Sequence, residues 1–154
     1  MIKKQSLQIL SATHKERDWA AELFSSSEPW KTLGITYEIA RATCYDAEYL
    51  VYVAHIEEKP CGVIILDPRG VAGAPYIKSV LVEKKYRSHG IGAALIAFAE
   101  NLFSQKSPHI FLCVSSFNQM ARSFYERLGY SIIGELKDHI KDGESEILMY
   151  KRIS

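Results

Sequence analysis

From Arg87 to Gly92 the chain reads RSHGIG, preceded by EKKY and followed by AALIAFAE. The run lies between an apolar stretch, YIKSVLV, and a segment in which Ile91, Ala94, Leu95, Phe98, Ala99 and Leu102 recur at i, i+3, i+4, i+7, i+8 and i+11. That spacing is one wide stripe of a helix. The first N–H groups of such a helix have no partner within it and point outward, so the turn before it attracts an anion. Gly90 and Gly92 let a ligand approach the backbone, Ala93 and Ala94 keep the first turn thin, and Lys84, Lys85, Arg87 and His89 add positive charge. Phosphate or pyrophosphate suits this turn, although two glycines ahead of a helix also suit a plain turn. A dinucleotide fingerprint would need Gly or Ala where Leu95 stands, and a P-loop would need Gly-Lys-Ser/Thr; both patterns fail.

A second group of chemically capable residues lies near the end of the chain. In GELKDHIKDGESEI, Glu135, Asp138, Asp142, Glu144 and Glu146 stand against only Lys137 and Lys141, with His139 among them. Alternation along strands could put these charges on a solvated face; equally, they could form an acidic pocket for a cationic substrate, with a carboxylate or His139 relaying a proton. The three cysteines, Cys44, Cys61 and Cys113, form no CxxC pair. They suit a reduced, cytoplasmic setting.

The elements that must position these residues follow from periodicity. SLQILSAT reads as a strand, HKERDWAAELFSSS as a helix broken by the Ser, Pro and Gly of SSSEPWKTLG, and ITYEIARATCYD as a second helix. EYLVYVAHI and CGVIILDP read as a hairpin turning through EEKP, and RGVAGAP as a Gly-rich loop before the strand YIKSVLV. HIFLCVS is an unbroken apolar run of the sort buried on both faces, and NQMARSFYERLGY is a helix opened by Asn118 and stopped by Gly129. YSIIGELKDHI and ESEILMYKRI close the chain as two strands joined through KDGE. The order is β-α-α-β-β-β-α-β-α-β-β, a mixed-sheet α+β (α/β) arrangement with strand-helix-strand crossovers. At 154 residues, 47% hydrophobic, with no repeat or linker, residues 1–154 are expected to form one domain. A net charge of +1 gives no field to pull the chain onto nucleic acid or a membrane surface. No secretory h-region and no apolar stretch of ~18 residues occurs.

R-x-x-G-x-G between a strand and an Ala-rich helix resembles the acetyl-CoA signature of the GNAT (Gcn5-related N-acetyltransferase) superfamily. SSFNQMARSFYERLGY matches that family's other element, N-x-x-A-x-x-hydrophobic-Y-x-x-x-G-F/Y, through Asn118, Ala121, Phe124, Tyr125, Gly129 and Tyr130. The resemblance implies a GNAT acyl-CoA N-acyltransferase fold with a central sheet of about seven strands. It implies that the backbones of Leu81 and Val82, then Arg87, Ser88, His89, Gly90, Ile91, Gly92 and Ala93, hold acetyl-CoA, with Asn118 contacting its arm. It further implies Tyr125 as the acid for the departing thiolate, and the Val82 amide as donor to the developing oxyanion. A core aromatic role for Tyr125 and a plain N-cap role for Asn118 are the alternatives.

Many relatives carry a glutamate within the strand that matches YIKSVLV; here its polar members are Tyr76, Lys78 and Ser79, so the general base is unassigned. Trp30, Tyr37 and Glu38 lie where the family forms its acceptor wall, and His139 joins them as a substrate-side candidate. The implied activity is direct transfer of acetyl from acetyl-CoA to a primary amine in a ternary complex, with no metal and no further cofactor. A CoA-binding sensor without turnover is the alternative, and a nucleic-acid binder is poorly supported by the charge. A homodimer stays open, and the amine, on a protein or on a small molecule, is not specified.

Overall fold

The computed structural model describes residues 6–154. In chain order the elements are β1 (Leu7–Ser11), α1 (His14–Ser25), α2 (Tyr37–Tyr45), β2 (Leu50–Ile56), β3 (Lys59–Val71), β4 (Ala74–Val82), α3 (Ile91–Phe103), β5 (His109–Ser115), α4 (Gln119–Arg127), β6 (Ser131–Lys141) and β7 (Glu144–Arg152). This is the expected order. One seven-stranded sheet runs β1-β2-β3-β4-β5-β7-β6. Among the described residues its only parallel pair is β4 with β5, the pair joined by the α3 crossover.

Local chemistry sets the element ends. Thr13 opens α1 with a capping box: its Oγ1 accepts from the Glu16 amide at 3.2 Å while its own amide donates to Glu16 Oε1 at 2.9 Å. Asn118 caps α4 by accepting from the Ala121 amide at 3.2 Å, and Gly129, at φ 98°, ends that helix as the sequence implies. The β2–β3 hairpin turns on Glu57 and Glu58, both at positive φ, the twist-matched two-residue turn usually given to Asn and Gly.

Two segments differ from the sequence-based reading. RGVAGAP is mostly strand: β3 runs on to Val71 and β4 begins at Ala74, with only Ala72 and Gly73 turning at positive φ. Long strands paired across a two-residue turn satisfy backbone groups that a loop would leave to water. β5 is not equally buried on both faces: Ile110, Leu112 and Val114 are buried while His109, Phe111 and Cys113 are half-buried. The reason is that its second face meets the Tyr150 ring, stacked 6.0 Å from Phe111, and an open cleft rather than a covering helix.

The sheet carries a core on each face. Ile64, Leu66, Ile77, Leu95, Ile96, Leu112 and Met149 pack with Tyr125 and Tyr130 under α3 and α4. Val51, Val53, Val63, Ile65 and Leu81 pack with Ala20, Phe24, Ala40 and Cys44 under α1 and α2. The far end of α3 is tied to the sheet by Glu100, which accepts from the Tyr130 hydroxyl at 2.8 Å and from Lys151 Nζ at 3.0 Å. Cys44 and Cys61 are fully buried and unpaired, and burial pushes each thiol up to about 11. Thiolate is the species that alkylates. Iodoacetamide at neutral pH is therefore expected to leave both unmodified in the native protein and to label them once it is unfolded in urea, as read by intact mass. No helix is long and apolar enough to cross a membrane among the described residues.

Candidate active site

The functional cleft begins where β4 and β5 part. Their pairing is registered at Tyr76 with Phe111 and at Ile77 with Leu112 only, although both strands continue. The β3–β4 register slips between Ile65–Ser79 and Leu66–Ile77, so Lys78 is an extra residue in β4, a bulge that bends the strand. Beyond that bend lies a cleft of about 1100 Å³ lined from both faces of the sheet.

The β3–β4 register fixes which way the β4 backbone groups point. The Glu83 amide donates to the Cys61 carbonyl at 2.8 Å, which makes that pair a hydrogen-bonded one. Antiparallel pairs alternate, so Leu81 also spends its N–H and C=O on β3, whereas those of Val80 and Val82 point toward the parted β5. The expectation of a Leu81 backbone contact thus meets a strand whose polar groups at that residue are already used. Val80 and Val82 are the residues with N–H groups aimed into the cleft, and Val80 was not singled out from the sequence. Side-chain pattern carries no sign of which way a strand's amides point; strand register alone sets it.

After β4 the chain makes a single 3-10 turn at Lys84–Tyr86 and reaches α3 through Ser88, at φ 66°, and Gly90, at φ 79°. Gly90 is the left-handed N-cap of α3 and supplies no side-chain cap, so the first-turn amides of Ile91, Gly92 and Ala93 are unpaired within the helix. Arg87 folds back so that its Nε donates to the Val82 carbonyl at 3.1 Å, holding the loop against the strand end. Arg87, Ser88, Ile91 and Gly92 line the cleft with Val82. Gly90, Ala93 and His89 are not among the lining residues; the His89 ring lies on its own loop, with Nδ1 2.8 Å from the Arg87 carbonyl. A Cβ on Gly92 would sit 3.4 Å from the Phe124 ring and 3.8 Å from Val82. The small residue therefore keeps the α3 entry close to both β4 and α4.

Asn118 and Tyr125 line the cleft from the α3/α4 face. Tyr125 is 8% exposed, with its ring tilted against Phe124 at 5.3 Å and edge-to-face with Tyr130 at 6.0 Å. Its hydroxyl makes no hydrogen bond to another described residue. Burial alone raises its pKa well above the usual phenol range, so it stays protonated at neutral pH.

The opposite face carries a carboxylate. Glu146, 5% exposed, lines the cleft from β7 and accepts a hydrogen bond from the Ser115 hydroxyl at 2.7 Å. Burial raises its pKa above the usual carboxylate value, against a lowering by the Ser115 hydrogen bond and by nearby His139. Glu146 is opposite Ser115 in the β5–β7 register and opposite Leu136 in the β6–β7 register. In the sequence it is one of five carboxylates in a polar segment. Only the strand pairing separates it from the others.

Trp30 lines the cleft, with its ring against Phe24 at 4.7 Å, and His139 lines it from β6. Tyr37 and Glu38 are exposed and outside the lining; from the same helix Ile39, Ala40 and Thr43 line it instead. The cause is the phase of α2. Ala40 and Cys44 are its buried positions, and Glu38 falls on the far side of the helix from Ala40. Lys141 Nζ donates to the Thr32 carbonyl at 3.0 Å, tying the β6–β7 end to the α1–α2 connection.

A model described as the acetyltransferase (GNAT) family matches residues 13–130. An uncharacterized N-acetyltransferase of Methanocaldococcus jannaschii is 37% identical over 103 residues, 66% of this chain and 65% of that relative, so the chain spans just under two thirds of its length. A GNAT-family acetyltransferase structure from Desulfovibrio desulfuricans superposes with a TM-score of 0.79 at 17% identity, covering 96% of this chain and 99% of the other. A structure described as a streptothricin acetyltransferase of Bacillus anthracis, in complex with acetyl coenzyme A, matches at 28% identity with a TM-score of 0.62, covering 70% of this chain and 64% of that one.

Proposed function

The chain belongs to the GNAT acetyltransferase family, and from that premise we propose that it moves the acetyl group of acetyl-CoA to a primary amine by direct attack within a ternary complex. The observation that carries this reading is the parted β4–β5 gap, open to the α3 amino terminus on one side and to a buried carboxylate on the other. The residues suit a CoA thioester. Unpaired amides at Ile91, Gly92 and Ala93, with Arg87 beside them, fit a pyrophosphate. The parted strand edge of Val80 and Val82 fits an amide-bearing arm that can pair with it as a further strand would.

Acetyl-CoA supplies an activated acyl carbon and a thiolate leaving group. The rest falls to this chain. The Val82 amide faces the gap and would donate to the oxygen on which charge develops, which leaves Val80 to pair with the arm. Asn118 would place the arm, and Tyr125 would donate its proton to the departing sulfur. The α1–α2 segment around Trp30 would form the acceptor wall with His139. Three unpaired cysteines support a reducing, cytoplasmic setting.

The test is release of free CoA thiol from acetyl-CoA in the presence of an amine panel, beside CoA binding by calorimetry. Tight CoA binding with no thiol release for any amine would favour the non-catalytic sensor and overturn this reading. Arg87→Ala is expected to raise the KM for acetyl-CoA about tenfold, the ~1.4 kcal/mol of one charge-assisted hydrogen bond, with kcat nearly unchanged. An unaltered KM would remove Arg87 from the cradle.

A further inference from the structure

Resting on that transferase reading, we propose that Glu146 receives the ammonium group of the acceptor and takes its proton, and that the acceptor is a primary amine carried on an apolar body. Glu146 is the buried one of the two carboxylates of β7, following half-buried Glu144 at the strand's start and leading into apolar Ile147, Leu148 and Met149. A buried carboxylate is costly unless something compensates its charge. Ser115 donates to one of its oxygens. The second has no hydrogen-bond partner among the described residues, although the side chain belongs to the cleft wall. A cation arriving through the cleft completes the site.

The position of Glu146 fits the chemistry as well as its charge. Leu81, whose side chain joins the α1/α2 core, and Tyr125, in the α3/α4 core, show that the cleft opens to both faces of the sheet. Ile147 and Met149 point into the α3/α4 core, so Glu146, one residue out of phase, points to the α1/α2 face. Base and acid therefore flank the parted strands from opposite sides, one on the amine and one on the sulfur. The charged and titratable groups around Glu146 are His139 of β6, Tyr76 of β4 and Cys113 of β5, with Lys78 of β4 next to Cys113.

Glu146 takes one proton from the ammonium, and the freed lone pair forms the C–N bond to the thioester carbon. Collapse of the tetrahedral adduct breaks the C–S bond. Tyr125 protonates the sulfur, and a second proton leaves the nitrogen and offsets the one Tyr125 gave. The proton on Glu146 returns to water past exposed His139.

Specificity follows from what surrounds Glu146. Trp30, Leu33, Ile39, Leu136, Ile140 and Leu148 make the wall apolar. The other lining carboxylate, Glu28, is taken by Thr32, whose amide and hydroxyl donate to it at 2.9 and 2.8 Å. Lys78 lines the same cleft as a cation. A second positive charge on the acceptor would find no free buried anion and would meet a lysine, which works against polyamines and aminoglycosides.

The test compares 2-phenylethylamine with spermidine in the thiol-release assay, for wild type, Glu146→Gln and Glu146→Asp. Wild type is expected to favour 2-phenylethylamine in kcat/KM by about tenfold or more. Its kcat/KM should rise with pH through the raised Glu146 pKa, because only the ionised carboxylate accepts the proton. Glu146→Gln should lose about 10²-fold in kcat together with that acidic limb, while CoA affinity stays the same; Glu146→Asp should recover part of the rate and the limb. Preference for spermidine, or a Gln variant that keeps both rate and limb, overturns this inference and leaves the transferase reading standing. Absence of transfer to every amine, with CoA bound, sinks the transferase reading and this inference with it.

Discussion

Replacement of Tyr125 by phenylalanine is expected to lower kcat about 10²- to 10⁴-fold, the range over which positioned acids act, with little change in fold or CoA affinity. The ring is held by Phe124, Tyr130 and the core beneath α3 and α4, and phenylalanine keeps those contacts. Removing the oxygen strands no hydrogen-bond partner among the described residues, so the usual penalty for an orphaned buried group does not arise. The remaining question is whether a phenol can serve a thiolate. In water a thiol, at about 8.5, is the stronger acid than tyrosine, at about 10. Burial raises both, since each gains a negative charge on ionising, and the Tyr125 pKa is raised by burial alone. The proton is therefore present on Tyr125 at neutral pH, and its transfer is drawn by charge developing on sulfur. Because the folded phenol titrates above its usual range, the wild-type profile should show no descending limb from Tyr125 at mildly alkaline pH. Steady-state turnover and calorimetric CoA binding, measured together, check this; a Phe variant with wild-type kcat across the pH range would remove Tyr125 from the chemistry.

The two halves of the site were not equally legible in the sequence. The donor side is local: strand end, glycine turn and helix start are contiguous from Val82 to Ala93, and each residue type reports its own backbone need, as Gly90 does at φ 79°. Asn118 and Tyr125 are local too, seven residues apart on one helix. The acceptor side is assembled by pairing across long intervals. Ser115 and Glu146 meet across 31 residues because β5 and β7 adopt one register, and a slip of one position would turn Glu146 into the opposite core. Trp30 both packs on the α1/α2 core and lines the cleft, whereas Tyr37 and Glu38 lie outside the lining, because the phase of a two-turn helix depends on which residues its partner buries. The bulge at Lys78, which parts β4 from β5, leaves no proline or glycine in that strand segment to announce it.

Gly62→Val is expected to destabilise the protein by about 1–3 kcal/mol, the usual cost of overpacking a core, and to weaken acetyl-CoA binding from the far side of β3. A Cβ at Gly62 would already lie 3.1 Å from Leu95 Cδ1, 3.3 Å from Ile91 Cγ2 and 3.3 Å from the Leu81 carbonyl oxygen, and valine adds two methyl groups beyond it. The backbone at Gly62 is ordinary strand, and β-propensity favours valine there by at most ~1 kcal/mol. The steric term wins because the Leu81 carbonyl is β4 backbone, which cannot rotate aside, and the two side-chain contacts belong to buried residues of α3. Relief must come from parting β3 from β4 at Leu81 and from moving α3, and Ile91 is both a residue struck and the first turn of the anion cradle. At about 2–4 °C per kcal/mol for a chain of this size, the Tm should fall by about 2–12 °C, and the KM for acetyl-CoA should rise with it. Leu95→Ala alone opens a cavity and costs about 2–5 kcal/mol. In the double variant the valine methyls enter the vacated volume, so the combined loss should fall short of the sum by about 0.5–3 kcal/mol. Additive losses in thermal unfolding would show that Gly62 and Leu95 do not share that space. An unchanged KM in a destabilised Gly62→Val protein would show that the α3 entry is held by Arg87 and the strand end alone.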